Sequence, residues 1–421
     1  MNAPPKDPAP VFGRLRVPLL NFVHYHAFGF AIPYFTLYLS RILVFEDGRT
    51  ANHLVGLFLL VFNGLVLLST PIAGYAADRF GIGHRVLAIC AVGVAIGTAL
   101  VAVPGFLAPV PLELSIAIAL PGVVVAGFCL HPIVPLIDSQ TLLYLHRTRG
   151  QGLDYGRIRM LGSIGFTVST LLIAVVLSRT HQVAWTFALS SIGFLSLAVV
   201  AGAGVHVVPS PVPIPWRHLK YNRRFQRFLF FAFFASLSVN SAFLFTSYFL
   251  EEIGTGFIVM GLTFAISVLP EIPVMFKSGV LIRRVGVPRV ILMGVAAQVV
   301  KLALFVGFAS SSTMWVFAVV SVFHGLGFGL LYTGCVNFVD TASHPDMRAT
   351  YQNLFRLLWV AAIAVGGPIS GFVIDLWSTT ALMATYAVML VATGAYFAVF
   401  VVRALAAETR SSSGSISRRA F

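Results

Sequence analysis

The sequence predicts an all-α membrane protein of 12 transmembrane helices in two pseudo-symmetric six-helix bundles. Three observations carry that expectation: scarce charge, recurring apolar runs, and basic residues confined to alternate loops. Hydrophobic residues make up 58% of the 421-residue chain and charged residues only 10%, with a mean hydropathy of +0.91. An ordinary soluble domain is about one-quarter charged, so a fold of this length could not clothe itself in polar surface. A helix needs about 20 apolar residues to cross a bilayer, and the chain offers such runs repeatedly.

The spans fall at 17–42, 53–76, 85–107, 112–143, 155–178 and 182–206, then at 227–250, 256–282, 287–309, 313–340, 348–375 and 378–403. Lys6, Arg14 and Arg16 precede the first, in the manner of a signal peptide. Its run is too long for one and no small-residue cleavage site ends it, so it stays in the membrane.

The net charge of +14 invites a nucleic-acid reading. The distribution of charge opposes it, because no basic stripe with interleaved aromatics lies outside the spans. Basic residues precede span one and cluster after span two (Arg79, Arg85), span four (Arg147, Arg149), span six (Arg217, Lys220, Arg223, Arg224) and span eight (Arg283, Arg284, Arg289). They return in the tail at Arg410, Arg418 and Arg419, while the loop after span seven carries Glu251 and Glu252. This is the positive-inside pattern, and it places both termini in the cytoplasm. Cys90, Cys129 and Cys335 are isolated within apolar spans; their odd number and wide spacing fit neither a disulfide framework nor a metal site. No cofactor motif is present: there is no metal spacing, phosphate-cradling glycine loop or nucleophile elbow in an accessible loop, and "GLGFG" lies inside an apolar span.

Between spans six and seven, "VVPSPVPIPWRHLKYNRRFQR" combines prolines that cannot continue a helix with a basic cluster. It divides the chain into a first bundle (1–206), a cytoplasmic linker (207–226), a second bundle (227–403) and a disordered tail (404–421). The halves share a marker at the same place: "GYAADRFGIGHR" from Gly74 to Arg85 after span two, and "GVLIRRVGVPR" from Gly279 to Arg289 after span eight. Parallel halves with such a repeat suit a rocking transporter whose site lies between them near the midplane.

Charges inside the apolar spans are the functional signal, since each costs about 2.5–3.5 kcal/mol at bilayer centre on insertion scales and so faces a cavity or a partner. Glu271 lies about fifteen residues into span eight, Lys301 about fourteen into span nine and His324 about eleven into span ten, which puts all three roughly 16–23 Å from their entry surfaces. Glu271 can shed its charge by protonation when desolvated and so can carry a proton. Lys301 has a snorkelling alternative, and His324 the alternative of a packing histidine. Arg356, near the start of span eleven, suits an anionic or hydroxyl-bearing solute or a gate contact. His24 and His26 diverge by about 200° on a helix, so at most one faces a cavity.

"GFCLHPIVPLIDS" places Asp138 near the end of span four. Pro132 and Pro135 break helix hydrogen bonds just upstream and bend Asp138 inward. Span five returns as "LDYGRIRMLGSIGF", so Arg159 can meet Asp138 at similar depth and hold it as a pair. That pair reads either as a substrate site or as a gate latch.

Gly74, Asp78, Arg79, Gly81 and Arg85 resemble the loop motif of the major facilitator superfamily, Gly-x-x-x-Asp-Arg-x-Gly-x-x-x-Arg. The resemblance implies the major facilitator fold and a gating role for these residues and for Arg283 and Arg284, with close helix approach at the glycines and ion pairs from Asp78. Arg283 replaces the aspartate in the second copy. "PLIDS", "YGRIRMLGSIGF", "EIPVMFKSG", "FHGLGFG" and "RATYQNLFR" resemble the lactose-permease branch and its phenylpropionate-permease relatives. That branch implies proton symport across a bacterial inner membrane, with an acidic residue in span four and an arginine in span five holding the sugar, matched by Asp138 and Arg159. Its arginine in span nine and histidine in span ten are matched by Lys301 and His324. Gly327 stands where the branch has its proton-carrying glutamate, which leaves Glu271 as the carrier. The resulting expectation is import of a small polar organic solute, such as a sugar, nucleoside or aromatic acid, with protons. Proton-driven efflux of amphiphiles, suggested by 37 phenylalanines, and a non-transporting sensor of the same fold are the alternatives.

Overall fold

The computed structural model describes residues 11–107, 109–147, 155–202, 223–343 and 348–402. The greater part of the linker and the whole of the tail read from the sequence lie outside these residues. Among them, 11 helical runs are long and apolar enough to cross a membrane. The remaining expected span, the first, runs as α1 (Val11–Ala31), a 3-10 turn (Ile32–Tyr34) and α2 (Phe35–Ile42). Pro33 sits in that buried turn and supplies the interruption, because it has no N–H to donate to the ladder.

The continuous and broken spans fall in a repeating order. In the first half, span two divides into α3 (Asn52–Gly64) and α4 (Val66–Phe80), and span four into α6 (Leu112–Leu130) and α7 (Ile133–Arg147). Spans three, five and six are the single helices α5 (Gly83–Leu107), α8 (Tyr155–Thr180) and α9 (Trp185–Gly202). In the second half, span seven divides into α10 (Arg223–Leu244) and α11 (Thr246–Glu252), and span eight into α12 (Phe257–Val268) and α13 (Glu271–Val285). Span nine is α14 (Val287–Gly307), span ten is α15 (Trp315–Val320) with α16 (Val322–Ala342), and span eleven is α17 (Arg348–Leu376). Span twelve is α18 (Thr379–Tyr396), finished by a π-helical turn (Phe397–Val402). Spans one, two and four are thus broken in the first half, and spans seven, eight and ten at the matching places in the second. Besides Pro33 in span one, two breaks carry their cause in the sequence: His131–Pro132 in span four and Leu269–Pro270 in span eight.

The repeated loop marker is conformational at its second glycine. Gly81 (φ 64°) ends α4 and Gly286 (φ 84°) separates α13 from α14, and a side chain is disfavoured at both because its Cβ would crowd the backbone. Gly74 has open space where a Cβ would stand, and so has Gly279 apart from the end of Arg283. The close helix approach expected at those two positions is therefore replaced here by separation. Asp78, Arg79 and Arg85 form no ion pair among the described residues.

The bundles meet at the opposite end. There α17 packs along α3, and α12 along α8. A Cβ on Gly56 would lie 2.5 Å from the Gly367 carbonyl oxygen, and one on Gly371 2.3 Å from that of Asn52. A Cβ on Gly261 would meet Ala174 Cβ at 2.3 Å and the Thr170 carbonyl oxygen at 2.7 Å. Small residues let membrane helices reach backbone contact, where dispersion replaces the hydrophobic drive that lipid does not supply. Thr36 Oγ1 donates to the Leu244 carbonyl across the halves at 2.6 Å, and Arg41 pairs with Glu251. One apolar core fills the first half and continues through the closed end into the second, from Leu20 and Leu87 to Phe249 and Tyr386. A second fills the other end of the second half around Phe228, Phe338 and Phe397.

Candidate functional site

Held together at one end and parted at the basic end, the halves enclose a cavity of about 1810 Å³. Its wall includes Tyr25, Asp138, Arg159, Glu271, His324 and Arg356, drawn from both halves. At the mouth it reaches Gly74 and Asp78. The cavity is wider than an ordinary small-molecule pocket of about 300–1,000 Å³, as befits a passage open at one end.

Asp138 comes to the wall through the span-four break. His131 Nε2 lies 2.9 Å from the Phe62 carbonyl, fixing the end of α6, and Pro132 accepts from the Leu136 N–H at 3.1 Å to start α7. Asp138 then lies on the second turn of α7, its side chain 14% exposed, and Oδ2 is 3.7 Å from a guanidinium nitrogen of Arg356. The pair joins the halves, since Arg356 is on α17. The partner expected from sequence was Arg159, the near neighbour in the chain. Arg159 spreads its guanidinium over the Tyr25 ring, 4.1 Å from the centroid, a cation–π contact. Gly162 makes room for this: a Cβ there would lie 2.5 Å from Tyr25 Cδ2 and 3.0 Å from Arg159 Nη1.

Glu271 opens α13 directly after Pro270 and is 9% exposed. The glycines of "GLGFG" explain its seat. A Cβ on Gly325 would lie 2.9 Å from Pro270 Cδ and 3.1 Å from Glu271 N, and one on Gly329 2.9 Å from Val274 Cγ1. Gly327 faces the other way, against Gln298 and Gly294 of α14. The α16 glycines therefore admit the span-eight break on one side and α14 on the other. Arg159 and Glu271 both line the cavity, one from each half.

His324 stands on the wall with its ring 4.8 Å from that of Phe243 and nearly parallel to it. Phe328 and Tyr332 continue the series on α16 at 6.0 and 5.6 Å. Lys301 does not share the wall. It is 2% exposed, with Nζ 4.9 Å from the Phe305 ring centroid, packed behind the residues that face the cavity. Depth counted along a helix places Lys301 level with Glu271 and His324, but the face of α14 turns it away. His24 lines the cavity and lies edge-on to Tyr25 at 4.6 Å, whereas His26 Nδ1 sits 3.2 Å from the Gly165 carbonyl. The rings divide as their helical separation requires. Neither His24 Nδ1 nor His324 Nδ1 has a hydrogen-bond partner among the described residues.

Sequence reasoning missed Tyr25, Asn240 and Tyr332 as wall residues. Tyr332 stands two four-residue steps after His324 and so on its face, a signal available in the sequence. Asn240, in the middle of span seven, donates to Ser236 Oγ at 3.0 Å; a side-chain amide at that depth was equally readable.

Two bundles that touch at one end and part at the other, around a largely apolar hollow with a few charged groups in its wall, define a class: a membrane transporter with the major facilitator fold. The model of the MFS_1 like family matches residues 15–388, and the chain belongs to that family. The chain is 24% identical over 377 residues to the uncharacterized transporter YwbF of Bacillus subtilis (strain 168), covering 86% of this chain and 87% of the relative. It is 23% identical over 380 residues to the maltose permease of Geobacillus stearothermophilus, with coverage of 86% and 87%. Among solved structures, the nucleoside transporter NupG superposes with a TM-score of 0.76 at 18% identity, covering 92% of this chain and 98% of that one. The POT family transporter PepTSo superposes at 0.68 with 13% identity, covering 92% and 97%.

Proposed function

We propose that the protein is a proton-coupled symporter that imports a small polar organic solute by alternating access. One observation carries this reading: a cavity between the halves, shut at one end, whose wall sets Asp138 and Arg159 of the first half against Glu271 and Arg356 of the second. The positive-inside rule assigns the basic, open end to the cytoplasm, so the conformation is inward-open and the glycine-packed end is the outer gate. The names of the relatives agree in solute size and polarity, one being a maltose permease and another a nucleoside transporter.

In this reading Asp138, Arg159, Arg356 and His24 orient the solute through charged and neutral hydrogen bonds. Glu271 carries the proton, with His324 beside it and Lys301 behind the wall setting the field it feels. A carboxylate at a helix break, seated beside a cavity that alternately wets and dries, gains a proton when desolvated and yields it when water returns. Protonation alters its attraction to Arg159 and so biases which way the halves open. Asp78, Arg79 and Arg85, with Arg283 and Arg284, gate the cytoplasmic mouth, and Gly81 supplies the turn that presents them.

The test is accumulation of radiolabelled sugars, nucleosides and aromatic acids by proteoliposomes under an imposed inward proton gradient. Wild-type protein should concentrate one class. Glu271→Gln should abolish accumulation while retaining exchange of solute across the membrane. Uphill uptake by Glu271→Gln would remove Glu271 from the coupling role.

A further inference from the structure

The outer end of span two starts at a helix whose N-terminus is completed by the other half of the molecule. The first four N–H groups of a helix have no partner inside it, and an unpaired buried one is costly. In α3 three of them are satisfied locally: Ala51 N donates to the Leu43 carbonyl at 2.8 Å, Asn52 N to that of Thr50 at 3.1 Å, and Leu54 N to that of Ala51 at 2.9 Å. The fourth, His53 N, donates to Asp375 Oδ2 at 3.0 Å. Asp375 is near the end of α17, in the second half. Ala51, at the cap position, has no side chain able to accept.

The same carboxylate makes two further contacts to the first half. Asn52 Nδ2 donates to Oδ1 at 3.0 Å, and His53 Nδ1 lies 3.3 Å from Oδ2. Asn52 is itself held from the second half, its Oδ1 accepting from the Tyr248 hydroxyl at 2.8 Å. The approach is built into the faces of the two helices. Gly367, Gly371 and Asp375 recur every four residues along α17, and Asn52 and Gly56 do so along α3, so each lies on one stripe. Gly367 meets Gly56, Gly371 meets the Asn52 carbonyl, and the next turn delivers a negative charge to the positive end of the α3 dipole.

We propose that Asp375 is the clasp of the outer gate: a cap for α3 that exists only while the gate is shut. Swinging α17 away from α3 removes the cap, leaves His53 N without its acceptor and separates Asp375 from Asn52 and His53 together. The other charged and titratable groups at this corner are Glu251, Glu252 and Tyr248 of α11, Arg41 of α2, and Asp47 and Arg49 of the loop before α3. Arg41 is engaged by Glu251, and Asp47 by Arg49, whose backbone and side-chain N–H groups hold its carboxyl below the usual range. Asp375 thereby favours the inward-open state, and its loss moves the molecule toward outward-open.

The inference rests on the alternating-access reading, and its test needs neither solute nor proton gradient. Spin labels at Glu113→Cys and Ser312→Cys, in a background with Cys90, Cys129 and Cys335 replaced by alanine, report the outer opening by pulsed dipolar spectroscopy in lipid nanodiscs. Losing a helix cap shifts a two-state ratio by about fivefold to thirtyfold. Asp375→Ala should raise the long-distance population by that factor, Asp375→Asn less, and Asn52→Ala to an intermediate degree. Wild-type distances in a folded, monodisperse Asp375→Ala would overturn the proposal. If that variant does not fold, unchanged distances in Asn52→Ala, which strips one contact to Asp375 and the acceptor for Tyr248, would overturn it instead. Failure of gradient-driven accumulation by the wild type would count against proton coupling and leave the clasp standing.

Discussion

The shut outer end and the open basic end are both rich in glycine, and they use it for opposite purposes. At the outer end Gly56, Gly261, Gly367 and Gly371 lie against backbone of the other half, where a Cβ would fall 2.3–2.6 Å from its nearest neighbour. At the basic end Gly74 faces open space, while Gly81 is needed for its positive φ. One set of glycines is about contact between halves and the other about the path of the chain within a half. The difference teaches that an identical residue type in a repeated motif can mark a moving interface or a fixed turn, and that substitution tells them apart.

Gly367→Leu should have the largest effect. Overpacking a close contact costs about 1–3 kcal/mol, and here the cost is relieved by parting the halves. Solute uptake should fall at least tenfold, and the outer spin-label distance should lengthen. Retained uptake with unchanged distances would show that the outer end does not separate along α3 and α17. Gly81→Ala should act on stability instead. A non-glycine residue in a left-handed conformation costs about 1–2 kcal/mol, so thermal unfolding should shift down by a few degrees with little change in conformational populations. Gly74→Ala should do least, leaving unfolding temperature and distances within error in the inward-open state. A measurable loss of uptake from Gly74→Ala would show that this glycine meets the other half when the basic end shuts, and would sharpen the contrast between the two ends.

The spans, their order and the repeat were legible in the sequence because hydropathy and charge asymmetry are local properties. So was the span-four break, since Pro132 lies in plain view, and Pro270 announces the break that seats Glu271. Contacts between residues far apart in the chain were not legible. A meeting of Asp138 with Arg159, about twenty residues on, can be proposed by counting because they lie on antiparallel neighbours; the contact of Asp138 with Arg356, from the other half, cannot. Lys301 was placed by depth alone, whereas its position behind the wall depends on the rotation of α14, fixed by Gly294 and Gly327 packing against each other. Asp375 drew no attention as a lone acid at a helix end, because the N-terminus it caps belongs to a helix more than 300 residues earlier.

The size of the hollow has a consequence of its own. A space of about 1810 Å³ holds some tens of water molecules at about 30 Å³ each, and a solute of sugar or nucleoside size displaces only a fraction of them. Closing the basic end must therefore expel the rest, so the resting balance between the two ends is also an osmotic balance. An osmolyte too large to enter lowers the activity of water outside and favours whichever state of the molecule encloses less water, with no contact to the protein at all.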